Sequence, residues 1–367
     1  MIRPLSLRVL LCVLVFACVP AAAQTLPAEK VEKIEKEITA LMSQQNIPGL
    51  SVAVVTDQKL RWSNGYGLAD LENYVPAKAA TVYRLGSISK TITAVAVMQL
   101  AEQGKLNLDA PIQTYCPAFP QKQWPVTARL LLGHLAGVRH YKNEAEFDST
   151  RHFNSVVEGM AMFKDDPLLF EPGTKYAYTT HGYTLLGCAV EGASGMKFSD
   201  YVRAKILAPA GMNRMRVDEA AEIIPNRAQG YTKAADGSLR NSALADTSYK
   251  IPGGGFCSTV EDLARFAIAV QAGALVKPET TGQMWTRQKT REGNETTYGL
   301  GWQIGAHNGM KDVSHGGAQQ RVSTYLYMIP EKGLAVVLMA NMENVGSSLN
   351  KLTRQIADIL LAPQAQQ

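Results

Sequence analysis

Tyr83-Arg84-Leu85-Gly86-Ser87-Ile88-Ser89-Lys90, running into Thr91-Ile92-Thr93-Ala94-Val95-Ala96-Val97, is the stretch from which the rest of the chain is read. A serine hydroxyl is a poor nucleophile until a base takes its proton. In helical register Ser87 and Lys90 lie on one face. Lysine serves as that base only when neutral, so its ordinary pKa of about 10.4 must fall through burial or nearby positive charge. A serine at a helix N-terminus also has backbone N–H groups at hand for a developing oxyanion. An amphipathic helix is predicted over Thr91–Gln103, closed by Gly104. The same spacing recurs at Ser194/Lys197 and Ser348/Lys351. Ser194 sits in the turn Gly192-Ala193-Ser194-Gly195, and Ser348 reads as the N-cap of a terminal helix, so neither carries the same weight. The plain alternative for Ser87 is also an N-cap.

Two later stretches supply partners. Tyr178-Thr179-Thr180 follows Phe170-Glu171-Pro172-Gly173. A tyrosine stabilised as its anion by two nearby cations could share proton transfer with a lysine, and Thr180 could donate to a substrate carbonyl. Tyr141-Lys142-Asn143 offers a competing tyrosine. His315-Gly316-Gly317-Ala318 precedes a strand-like run from Val322. Gly316 and Gly317 let a substrate backbone lie against a strand edge, and the Ala318 N–H could complete an oxyanion hole with that of Ser87. His315 could orient Lys90 or Tyr178, or bind a carboxylate. The bland reading of this stretch is a tight turn with a surface histidine.

Other chemistries find little support. None of the six histidines falls in a metal-ligand spacing, so no metal or other cofactor is expected. No G-x-S-x-G elbow surrounds a serine. A Ser-His-Asp triad assembled from distant residues stays open. The net charge of +5 over 367 residues is modest and no basic run occurs, which argues against nucleic acid. Arg3 and Arg8, the apolar stretch Val9–Val19 and Ala21-Ala22-Ala23 read as an export signal over 1–23. A mature protein in the periplasm or outside the cell, with no stable membrane span, is therefore expected. Phe16 is bulky for a lipoprotein signal ending at Cys18. Beyond the signal, Cys116, Cys188 and Cys257 are an odd, widely spaced set, read as three buried inert thiols, with one disulfide and a free thiol as the alternative.

The charged stretch 24–48 is helix-like, Leu50–Val55 and Leu60–Tyr66 read as a hairpin, and Asn64-Gly65 as a turn or bulge. Residues 111–249 hold short helices, among them Ala128–Leu135 and Tyr183–Glu191. Phe256–Ala272 restarts a helical pattern. Tyr298–Ile304, Val322–Ile329 and Leu334–Asn341 are strand-like, and Leu349–Leu361 is a final amphipathic helix. The expected fold is α+β, one domain over 24–367. Segments 28–110 and 250–362 would build an antiparallel sheet with helices, and a mostly helical lobe over 111–249 would be inserted.

Ser87-x-x-Lys90, Tyr178 and His315-Gly316-Gly317 in this order resemble the penicillin-recognising serine β-lactamase-like family, in its class C branch. That branch includes esterases, D-aminopeptidases, D,D-peptidases and LACTB-type proteins. Leu130–Val138, Glu171-Pro172-Gly173, Gly182–Gly187, Gly254–Thr259 and Tyr298–Trp302 are similar to it as well. The resemblance runs from about residue 28 to 360. It implies an αβα sandwich with the site between sheet domain and helical lobe, an acyl-enzyme on Ser87, proton transfer by Lys90 and Tyr178, and oxyanion N–H groups from Ser87 and Ala318. Thr180 and His315 stand where class C β-lactamases usually have Asn and Lys, which points to peptide, ester or amide substrates ahead of β-lactams. Arg321 is a candidate to replace the lost charge. A slowly acylated or non-catalytic penicillin- or peptidoglycan-binding protein is the alternative.

Overall fold

The computed structural model describes residues 25–363, so the export segment read over 1–23, with Cys12 and Cys18, lies outside the described residues. β1 (Gly49–Thr56) and β2 (Lys59–Asp70) form a hairpin through Asp57 and Gln58, both at positive φ as a tight two-residue turn requires. A short β3 (Val75–Pro76) extends the edge. The C-terminal third adds β4 (Gln303–His307), β5 (Met310–Gln319), β6 (Val322–Ile329) and β7 (Leu334–Ala340). The sheet order is β3-β2-β1-β7-β6-β5-β4, and each strand pairs antiparallel with its neighbours. The two ends of the chain meet at the centre, where Leu50 faces Ala340 and Val54 faces Val336.

Both faces of this sheet are covered, so its central strands are buried almost throughout rather than on alternate residues. Leu50, Val52 and Val54, with Val336 and Leu338, pack under α1 (Ala28–Gln45) and α5 (Gly346–Leu361). Ala53 and Val55, with Val337 and Met339, point the other way, toward α2 (Ser89–Glu102) and α4 (Val260–Gln271). α2 departs from the sequence reading. It is not amphipathic: Ser89 through Leu100 are all buried, because the helix is enclosed by α3 (His181–Ser194), the short helix Ile251–Gly254 and the segment Phe198–Leu207. A helix enclosed on every side needs no polar face.

The lobe contains Ala128–Leu132, Glu144–Phe147, Val156–Gly159, α3 and Phe198–Val202. It also contributes strand Arg216–Val217, which pairs with Phe256–Ser258, itself paired with Tyr83–Arg84. Phe256–Ser258 is therefore a strand, and the helix expected from Phe256 begins only after Thr259, whose hydroxyl accepts the Asp262 N–H. Asn64-Gly65 is likewise no turn but lies inside β2.

β5 is the strand that sequence patterning misses. Asp312, Ser314, His315, Gly316 and Gly317 lack strand propensity, yet pairing with β4 and β6 on either side holds them extended. Its glycines admit the turn that carries Ser87. A Cβ on Gly317 would lie 2.0 Å from the Leu85 carbonyl oxygen and 2.2 Å from Thr324 Oγ1. Thr324 Oγ1 in turn donates to the Leu85 carbonyl at 2.9 Å.

The cysteines also depart from the preferred reading. Cys116 and Cys188 form a disulfide across 72 positions, and Cys257 is a buried free thiol. The bridge ties the segment after α2 to α3, a proximity that only the folded lobe creates.

Two stability outcomes follow. Replacing Cys116 and Cys188 together by Ala lowers unfolding free energy by about 2–4 kcal/mol, read by denaturant titration without reductant; an unchanged midpoint would show the bridge to be idle. Gly317→Ala costs about 1–3 kcal/mol or more. Gly316→Ala, whose Cβ would meet only Tyr325 ring carbons at 3.2–3.3 Å, costs less. Equal melting temperatures for the two variants would contradict the packing described.

Candidate active site

Gly86, at φ +53°, turns the chain from the small sheet into a single 3-10 turn, Gly86–Ile88, which leads directly into α2. No side chain caps this start, so Ser87 is not the N-cap of the bland reading. Ser87 is partly exposed on the wall of a cleft between sheet and lobe. One helical turn on, Lys90 is fully buried. Its Nζ lies 3.1 Å from Ser87 Oγ, 3.0 Å from Thr180 Oγ1 and 2.7 Å from the Gly253 carbonyl oxygen. Burial first, and then the charge of Lys250, hold the Lys90 pKa well below the ordinary lysine range.

Tyr178 stands over the same amine, its ring centroid 4.9 Å from Lys90 Nζ. Its hydroxyl is hydrogen-bonded to Ser87, but burial outweighs that bond and raises the phenol pKa. Tyr178 is therefore a protonated phenol, not the anion that the sequence suggested, because burial disfavours its charged form. The competing Tyr141 lines the cleft too, but its hydroxyl bonds to Thr180 and Tyr249. Asn143 of that motif caps the helix Glu144–Phe147.

Thr180 lines the cleft, and its hydroxyl oxygen is already engaged by Lys90. Ala318 also lines it, and the turn approaches so closely that a Cβ on Gly86 would sit 2.9 Å from the Ala318 nitrogen. Gly316 and Gly317 lie behind this wall, within β5, and leave room for the turn. His315 is misplaced by the sequence reading. It is 1% exposed, not a surface residue, and its pKa is lowered by burial to about 3. Its Nδ1 is 2.7 Å from the Gly316 carbonyl and so carries the proton; Nε2 accepts from the Tyr298 hydroxyl at 2.7 Å. A neutral imidazole with both nitrogens taken supports Tyr298 and binds no carboxylate. Arg321 lies at positive φ in the β5–β6 turn, against Gly230, and does not line the cleft. The other two Ser-x-x-Lys pairs are remote: Ser194 ends α3 and Ser348 lies within α5.

Several contributors escape the sequence reading. His134 Nδ1 accepts the Thr179 N–H and His140 Nδ1 accepts the Thr180 N–H, both at 3.2 Å, which fixes the loop carrying Tyr178. Burial lowers the His140 pKa to about 3, so it too is neutral. Gly253 supplies the carbonyl that Lys90 donates to, and Lys250 lines the cleft with Ser87. The available signal was one lysine among apolar and glycine residues, Tyr249-Lys250-Ile251-Pro252-Gly253-Gly254-Gly255. Away from the cleft, His152, Glu219 and Asp246 bring ligand atoms within 4.8 Å of one another on the surface.

The Beta-lactamase family model matches residues 34–361. The chain is 32% identical to the serine beta-lactamase-like protein LACTB, mitochondrial, of Homo sapiens, over 90% of this chain and 79% of the relative. It is 28% identical to penicillin-binding protein 4* of Bacillus subtilis, over 77% of this chain and 65% of that protein. The octameric penicillin-binding protein homologue from Pyrococcus abyssi superposes with a TM-score of 0.79 at 28% identity, covering 90% of this chain and 77% of that one. The α+β architecture is thus the β-lactamase/transpeptidase-like fold expected from the motifs. With Ser87 on the cleft wall beside the buried Lys90, at the junction of sheet and lobe, the chain belongs to the Beta-lactamase family of serine hydrolases.

Proposed function

We propose that this protein hydrolyses a peptide, ester or amide bond through an acyl-enzyme on Ser87. The observation that carries the reading is the buried Lys90 amine, 3.1 Å from Ser87 Oγ, whose other contacts account for its protons. A neutral amine has two N–H bonds and one lone pair. The two N–H bonds are directed to Gly253 O and Thr180 Oγ1. The lone pair is left for the Ser87 hydroxyl, which is the arrangement general-base catalysis requires.

In this mechanism the Ser87 proton passes to Lys90 as Oγ bonds the substrate carbonyl carbon. The carbonyl π pair moves onto oxygen, where the Ser87 and Ala318 N–H groups stabilise it. Collapse breaks the bond to the leaving group, which takes the proton back from Lys90 through the Tyr178 hydroxyl. Water then enters by the same route and bonds the acyl carbon as it gives a proton to Lys90; collapse breaks the acyl–Oγ bond, Lys90 returns the proton to Ser87 Oγ, and the acid leaves. A cleft without Lys or Arg at position 315 favours peptide, ester or amide substrates over β-lactams. Export remains part of the proposal, and the Cys116–Cys188 disulfide supports it, since such bonds persist in oxidising compartments.

Intact-mass spectrometry after exposure to a fluorophosphonate tests the nucleophile: wild type gains one adduct and Ser87→Ala none. Labelling of neither sinks the hydrolase reading. A stable adduct with penicillin and no turnover of any ester or amide would select a slowly acylated binding protein instead. Lys90→Met lowers kcat/KM by about 10²–10⁴-fold and Tyr178→Phe acts in the same direction; full activity in Lys90→Met would remove the base from the scheme. The pH profile follows from the same residues. Activity rises with pH as Lys90 loses its proton, with a midpoint well below about 10.4. His140 and His315, both held to about 3, add no inflection near neutrality. An inflection near pH 6.5 that disappears in His315→Gln would contradict this assignment.

A further inference from the structure

Two buried donors in the cleft have no acceptor. Lys250 is 1% exposed and Gln319 is 5% exposed, and neither Lys250 Nζ nor Gln319 Nε2 has a hydrogen-bond partner. Both line the wall shared with Ser87, on either side of Gly254. A Cβ at Gly254 would lie 3.4 Å from Gln319 Oε1, 3.7 Å from Lys250 Cδ and 3.8 Å from the Gly86 carbonyl carbon. The two side chains therefore converge close to the turn that bears the nucleophile, and Gly254 places no side chain between them.

The rings of Phe147, Tyr249 and Tyr141 surround Lys250 Nζ at 4.6, 5.1 and 5.4 Å. Their faces attract a cation but provide no hydrogen-bond acceptor of carboxylate strength. The nearby carboxylates are committed elsewhere. Asp148 accepts from Gln320 Nε2, and Asp218 is paired with Arg84 and Arg227. No Asp or Glu is among the described residues lining the cleft. An ammonium buried without a hydrogen-bonded counter-ion is costly. Consistent with this, burial and then the Arg84 charge lower the Lys250 pKa to about 7, against the opposing pull of Asp148 and Asp218.

We infer that Lys250 and Gln319 form a carboxylate-binding subsite, so that the substrate hydrolysed at Ser87 carries a carboxylate on the portion lying along this wall. Two donors without an acceptor match a group with two acceptor oxygens. The subsite supplies, through Lys250, the positive charge that His315 and Arg321 do not bring to the cleft. As a substrate assignment the inference rests on the hydrolase reading, but the subsite itself does not depend on Ser87 chemistry.

The test uses Ser87→Ala, in which binding is measured without turnover. Monomethyl glutarate and dimethyl glutarate differ by one negative charge. Their dissociation constants, from ligand-observed NMR titration at pH 6.5, are expected to differ by tenfold or more in favour of the anion. Adding Lys250→Met removes the preference, Lys250→Arg retains part of it, and Gln319→Leu weakens it. Circular dichroism and melting temperature confirm that each variant is folded. Equal binding of the two ligands by Ser87→Ala itself, which needs no second substitution, overturns the subsite. So does a preference that survives Lys250→Met. Failure of fluorophosphonate to label wild-type Ser87 would remove the hydrolase reading and leave this comparison standing.

Discussion

The site depends on one amine held out of water. Lys90 occupies a helix enclosed on every side, and its Nζ meets a serine, a threonine and a backbone carbonyl but no carboxylate within hydrogen-bond reach. Desolvation penalises the charged form, and Lys250 adds like-charge repulsion. A lysine in water would be an ammonium with no lone pair to offer. In this enclosure the neutral form of the same residue, which carries a lone pair, is favoured. The neutrality of His140 and His315 and the protonated state of Tyr178 have the same origin in burial.

The enclosure is built by parts distant in sequence. The sheet closes where β1 from one end of the chain meets β7 from the other. One hydrophobic cluster joins its inner face to α2, which is packed against α3 and the short helix Ile251–Gly254. β5 brings Ala318 to the turn at Gly86, and the glycines at 86 and 317 permit an approach that a Cβ at either position would block. The lobe contributes Tyr178, Thr180 and the histidines that pin their backbone N–H groups. Catalytic geometry is thus set by packing between the two parts rather than within either.

Electrostatically the cleft is one-sided. The positive potential of its wall comes from Lys250, and the carboxylates that act on it from a distance are engaged by other partners. Under the function proposed above, such a wall would select among substrates by charge, and the Ser87–Lys90 pair would act on the carbonyl presented.

By itself the sequence put Ser87 and Lys90 side by side, since they need only helical spacing to share a face, and local order carries that spacing. It determined the sheet from both ends through the apolar runs at Leu50–Val55, Val322–Ile329 and Leu334–Ala340. It also supplied Tyr178, Thr180 and Ala318 as motifs. Tertiary structure decided the rest. Strand β5, with its polar and glycine residues, is extended only because β4 and β6 flank it. Cys116 and Cys188 meet only in the folded lobe. The protonation states of Tyr178, His315 and Lys250 depend on burial, which no local pattern records. Lys250 shows the difference most directly: in the sequence it is one lysine before a glycine run, and its place in the cleft exists only once the lobe has folded against the sheet.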